Sequence, residues 1–357
     1  MEDSKSGNHK VYIDFLKIIA IYMVLFNHTG TSGFVFFTVA RTSTLYPFYL
    51  FNAILIKIAV PLFFMASGAL LLGKEESYRD LLKKRFFKYA IVLVVFSIIM
   101  YLYDCLRDYP REMSVEFFVT NLYTSELSAA YWYLYAYLAY ILMLPILRKL
   151  ARAMTDKEYM WMFLLYGLIQ SLTILEYLIW KGTASHNRHF SFFITTNYVF
   201  YPLMGYYIDQ RMKNEQFQWK KLLILIITSV VSVIICCFMT QYHCTLIDEW
   251  KESSCQTFFS TLIFLPAITV FYAVKMWFIN HSLSDRTCSI IKAAGGTTFG
   301  IYLAEFICRQ ETKPVFIWVE PYLHTFPACW IWILVACICG GILTLLLKRI
   351  PGIKKFI

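Results

Sequence analysis

Residues 11–30, VYIDFLKIIAIYMVLFNHTG, make an apolar run of membrane-crossing length that carries three polar groups a plain anchor has no use for: Asp14, Lys17 and His28. At about 100° per residue, the steps from Lys17 to His28 close to within roughly 20° of one helical face, with an axial rise of about 16 Å. Asp14 precedes Lys17 by one turn, so a single stripe reads Asp14, Lys17, Ile21, Val24, His28. Ionisable groups in a bilayer are costly unless they line a bundle interior or a water-filled cavity. The stripe is therefore expected to face into the protein.

The rest of the chain agrees with a membrane setting. Of its 357 residues, 59% are hydrophobic, 18% aromatic and only 16% charged, too apolar for a domain with a solvated surface. The expected fold is all-α, a polytopic integral membrane helical bundle. A net charge of +10 raises the question of nucleic acid, but the cations cluster in short stretches between apolar runs, where membrane orientation explains them. No nucleic-acid partner is expected. The first run is as long as a full span and ends in Asn-His-Thr-Gly-Thr-Ser-Gly, which does not fit a cleavable leader. Ten cysteines show no CxxC pair or Cys/His cluster with metal spacing, so no metal is expected. Cys244 and Cys255 bracket one polar loop, where a disulfide and two free thiols are both open readings.

Cutting the chain at its polar stretches gives ten apolar segments: 11–30, 50–72, 88–105, 130–147, 159–180, 192–208, 222–240, 258–278, 297–312 and 327–347. With a cytoplasmic N-terminus, the inner segments hold 23 cations and the outer ones 8, with Lys17 and Lys57 inside spans. The positive-inside rule then predicts about ten transmembrane helices with both termini cytoplasmic, in a multi-pass protein of the cell membrane. No repeat or linker marks a second unit, so 1–357 reads as a single integral membrane domain.

Four further features could carry chemistry. The basic stretch 73–88, GKEESYRDLLKKRFFK, places Arg85 and Lys88 three apart at a helix start, a pair suited to gripping phosphates; the same cations also serve as topology anchors. Lys57 precedes Pro61 by four residues at about the depth of His28, where it is either a snorkelling cation or part of a site. Ser67-Gly68, lower in that span, permits close packing or a narrow tunnel. Glu305, in TTFGIYLAEFICRQ, is a carboxylate at mid-membrane that needs a partner or a function. His28, Lys57 and Glu305 share a depth, as a proton-transfer centre requires.

Taken in order, these motifs resemble the membrane acyltransferase type three family, which includes bacterial O-acetyltransferases of cell-surface polysaccharides. Lys17, ten residues and His28 are similar to its first-helix motif. The resemblance continues through Lys57-Ile-Ala-Val-Pro61-Leu-Phe-Phe-Met-Ala-Ser67-Gly68, Arg85-Phe-Phe-Lys88, Trp132-Tyr133-Leu134, Leu144-Pro145, residues 198–205 and Phe299-Gly300-Ile301-Tyr302-Leu303. Two positions depart from it: Ala130-Tyr131 stands where the family often has a histidine before the tryptophan, and Glu305 where many members have histidine. The resemblance implies an acyl-CoA donor, most readily acetyl-CoA, entering from the cytoplasm with its phosphates at Lys17, Arg85 and Lys88 and its arm threading past Ser67. His28 would act as general base or transient acyl carrier toward a hydroxyl of a glycan or other acceptor. Glu305 would orient His28, and Lys57 would stabilise an oxyanion or hold an acidic acceptor. The chief competing reading is a proton-coupled transporter with a Lys/His/Glu relay. A third is a sensor or anchoring module, and a homo-oligomer is compatible with each.

Overall fold

The computed structural model describes residues 10–107, 113–185, 193–212 and 217–356. Lys5, Arg111, Arg188 and Lys213, counted above among the orienting cations, lie outside the described residues. Among those described, every regular element is helical. In chain order the principal helices are α1 Val11–Asn27, α2 Tyr46–Leu71, α3 Tyr78–Leu106, α4 Val115–Ala153 (interrupted at 125–128), α5 Asp156–Trp180, α6 Asn197–Tyr206, α7 Trp219–Ile247, α8 Phe264–Asn280, α9 Asp285–Gly295, α10 Thr298–Glu311, α11 Lys313–Leu323 and α12 Thr325–Leu347.

Six of these, α2, α3, α4, α5, α7 and α12, are long and apolar enough to cross a membrane. The other four expected segments are helices too, but shorter: α1 and α8 have 17 residues, α10 has 14 and α6 has 10 before a π-helical turn at Tyr207–Arg211. The long helices bury only part of their surface. On α3, Ile91, Val94, Val95 and Ile98 are exposed, a face that suits lipid rather than water.

The ionisable stripe of α1 points inward, as expected: Asp14 is buried and Lys17 and His28 line a cavity. Helix α1 is pinned at the end where it begins, called the lower end below. There Lys10 and Tyr12 both donate to the carboxylate of buried Asp209 in the π-helical turn. Lys275 of α8, also buried, donates to the backbone carbonyls of Ile208 and Asp209. The tightest packing is between α2 and α6. A Cβ on Gly68 would collide with the Pro202 carbonyl, and one on Gly205 with the Met65 carbonyl. Two glycines thus let the backbones touch, the small-residue device by which membrane helices associate.

Candidate active site

One cavity of about 470 Å³ runs beside α1, a volume within the roughly 300–1,000 Å³ of small-molecule sites. Its wall includes Lys17, His28, Lys57 and Ser67, so four of the seven candidate residues meet in one space. Lys17 at its lower end is paired with Asp14, Nζ to Oδ1 at 2.6 Å. Beside it lie Gly295, Gly296 and Thr298, where α9 hands over to the first turn of α10. Gly295 packs against Asp14 so closely that a Cβ would strike that side chain. Lys348, just past α12, reaches the same corner and donates to the Gly296 carbonyl at 2.6 Å. Burial, and then the nearby Lys17 charge, lower the ammonium of Lys348 below its ordinary range. The lower mouth thus combines the Lys17–Asp14 pair and the Lys348 ammonium with the amino end of a 14-residue helix, whose dipole favours an anion.

The middle of the cavity is aromatic. Tyr89, Tyr133, Tyr137 and Tyr302 contribute rings to the wall together with Ser67, and Tyr133 and Tyr137 stack with centroids 5.8 Å apart.

At the upper end stands His28, the residue that caps α1. The chain turns sharply after it, with Gly30 at φ 54° and the Thr29 hydroxyl accepting from Phe34 N at 2.9 Å. His28 Nδ1 lies 3.3 Å from Glu305 Oε1, an ion-pair distance whose alignment falls short of a hydrogen bond. Glu305 is buried on α10 and lies outside the cavity wall. Its second oxygen is 3.5 Å from Arg309 Nε, one turn further along the helix. The carboxylate therefore sits between imidazole and guanidinium, with His28 Nδ1 at ion-pair distance from one of its oxygens and Arg309 Nε near the other.

Helix α10 is fixed by reciprocal bonds to the turn before Trp132: Tyr131 donates to Leu303 O (2.8 Å) and Tyr302 to Ala130 O (2.6 Å). Trp332 of α12 donates its indole N–H to Arg309 O at 3.1 Å. Ala130-Tyr131, the position where the family pattern often has histidine, thus anchors the helix that carries Glu305.

Lys57, across the upper cavity, donates to Gln256 Oε1 at 3.1 Å and lies over the Phe34 ring. Gln256 Nε2 in turn donates to Glu252 Oε1 at 3.1 Å, so an amide relays the ammonium to a carboxylate.

The remaining two candidates lie outside the cavity wall. Arg85 is bound to Glu76, Nε to Oε2 at 2.8 Å, and the same oxygen takes Arg148 at 3.0 Å. Lys88 is partly buried over Tyr89, with no carboxylate at ion-pair distance among the described residues. Sequence reasoning missed Lys348, Arg309, Gln256 and the first turn of α10. Only Arg309 carried a local signal, its i+4 spacing from Glu305.

Half-buried His28 beside buried Glu305 at one end of a cavity, and Lys17 and Lys348 with the amino end of α10 at the other, make the candidate site of a membrane-helix bundle. A family model described as an acyltransferase domain matches residues 10–348, and the chain belongs to that family, the membrane acyltransferases of type three. No curated protein and no solved structure matches it.

Proposed function

We propose that the protein moves an acyl group, most simply acetyl, from cytoplasmic acyl-CoA to a hydroxyl of an acceptor on the other face of the cell membrane, a cell-surface glycan or its precursor. The observation that carries the reading is the single cavity that joins the Lys17–Lys348 corner to His28. Lys17, Lys348 and the amino end of α10 would take the donor's phosphates, with Lys88 nearby. Arg85, engaged with Glu76, supports that loop. The pantetheine arm would pass Ser67 and the tyrosine wall, since Lys17 and His28 are about 16 Å apart along α1.

At the upper end His28 takes the acceptor's proton, and Glu305 holds the imidazole and balances the charge it gains. Transfer through a transient acyl-histidine uses the same residue. Lys57 faces the same space and is suited either to the oxygen that gains negative charge or to an acidic acceptor. This reading assumes one domain, about ten membrane segments and cytoplasmic termini, as the cation distribution favours.

His28→Ala cannot test the proposal, because it deletes base and hydrogen bond together. His28→Asn and His28→Gln keep an amide but have no group that titrates near neutral pH. Both should fold and bind acyl-CoA while losing transfer by roughly a hundredfold or more, the scale of general-base help. Near-normal transfer by either variant, with protein level and donor binding intact, would remove His28 from the chemistry.

A further inference from the structure

The loop that delivers Gln256 to Lys57 is closed by two cysteines that acyl transfer does not use. Helix α7 ends at Asp248, which adopts a left-handed conformation (φ 50°) and turns the chain back. Glu249 N then donates to Cys244 O at 3.1 Å, Lys251 pairs with Glu249 at 2.6 Å, and Cys255 N donates to Lys251 O at 3.0 Å. The folded-back strap brings Cys255 Sγ to 2.6 Å from Cys244 Sγ, with both side chains fully buried. A sulfur–sulfur bond of roughly 2.05 Å needs only a sub-ångström approach from there. The residue after Cys255 is Gln256, whose amide contacts Lys57 in the cavity.

We propose that Cys244 and Cys255 are joined by a disulfide in the mature protein, a staple that holds the strap and with it the Gln256–Lys57 contact. The inference stands independently of acyl transfer. The bond forms by exchange with an external disulfide, carried by an oxidoreductase or a small molecule of the compartment the strap faces. One protein thiolate attacks that disulfide, giving a mixed disulfide and releasing one thiol. The second protein thiolate attacks the mixed disulfide and releases the other thiol. Two protein thiols thus lose two protons and two electrons, and the external disulfide is reduced to two thiols. Because both sulfurs are buried once the strap has closed, exchange precedes closure, and the bond acts as a structural staple rather than a reversible switch.

The test uses the whole protein in its own membrane. Cells are quenched in acid, dissolved in denaturant with a maleimide, and the purified chain is digested for mass spectrometry, with and without prior reduction. The expected result is eight alkylated cysteines of the ten without reductant, ten with it, and a peptide pair linked through Cys244 and Cys255. Ten alkylated cysteines without reductant, or a link between other cysteines, would overturn the proposal. A Cys244→Ser/Cys255→Ser variant should show eight alkylated with and without reductant. If it still gains two on reduction, the bond lies elsewhere. Mapping of the unmodified chain decides the matter even if that variant fails to fold.

Discussion

Glu305 is gripped from two sides, by His28 on α1 and by Arg309 one turn along its own helix, and this makes it the most informative single residue to change. A carboxylate buried without partners would be expelled or neutralised; between two cationic or polarisable groups it can hold charge and stiffen the imidazole. Glu305→Gln keeps the shape and one acceptor oxygen but not the charge. Its expected effect is a fall in kcat of roughly tenfold or more with donor KM unchanged, because the phosphate corner lies at the other end of the cavity. A rise in donor KM with kcat preserved would make Glu305 a packing residue instead. At this scale much was legible. Lys17, His28 and Glu305 stand out as ionisable groups in apolar runs, and their inward placement follows from bilayer energetics alone. Arg309 is harder to see, because near a segment end a charge pattern groups it with loop cations. Gln256 carries no signal at all, since an amide in a polar loop is ordinary until the loop folds back on Lys57.

Elements are set by contacts that composition only hints at. The reciprocal approach of Gly68 and Gly205 places the backbones of α2 and α6 in touch, so a methyl at either position meets an opposing carbonyl rather than a side chain that can move aside. Gly68→Ala should therefore destabilise by about 1–3 kcal/mol, read as a lower unfolding temperature in detergent. Unchanged stability would mean that the two helices can slide apart freely. The loop between α2 and α3 is clamped in another way. Burial alone would raise the Glu76 carboxyl, but hydrogen bonds from Arg85 and Arg148, with their charges, hold it below the ordinary carboxylate range. A depressed carboxylate contributes stability that is complete above its unfolded value near 4.5 and is lost as pH falls through the lower folded value. The unfolding temperature of the wild type should thus drop below about pH 4.5, and Glu76→Gln should be less stable at pH 7 by roughly 1–3 kcal/mol with a flatter acid limb. Equal acid sensitivity of the two proteins would assign the effect to other groups. The sequence marks Arg85 as a phosphate ligand or an anchor; its engagement with Glu76 depends on a return of the chain that spacing cannot show.

For the whole molecule, the legible features are ten apolar segments and a cation split of 23 to 8. All ten segments coincide with helices, but hydropathy windows measure apolar length rather than crossing, and α1, α6, α8 and α10 are short enough that the protein around them decides how far they reach. Nor is every counted cation free to act as a topology signal. Arg148 is buried against the Leu71 carbonyl and Glu76, and Lys275 against the carbonyls of the π-helical turn, so both are structural groups whatever their side of the membrane. Orientation is best tested at exposed positions. Lys157 and Lys181 lie at opposite ends of α5, and Lys220 and Lys251 lie near opposite ends of α7. Single cysteines at Lys157 and Lys220 should react with an impermeant maleimide only from the cytoplasmic side, and at Lys181 and Lys251 only from the other side, each measured above the background of the native cysteines. Two ends of one helix labelled from the same side would show that it does not cross. A full reversal would place the Lys17–Lys348 corner outside the cytoplasm, away from any supply of acyl-CoA, and would rule out the proposed direction of transfer while leaving the family membership intact.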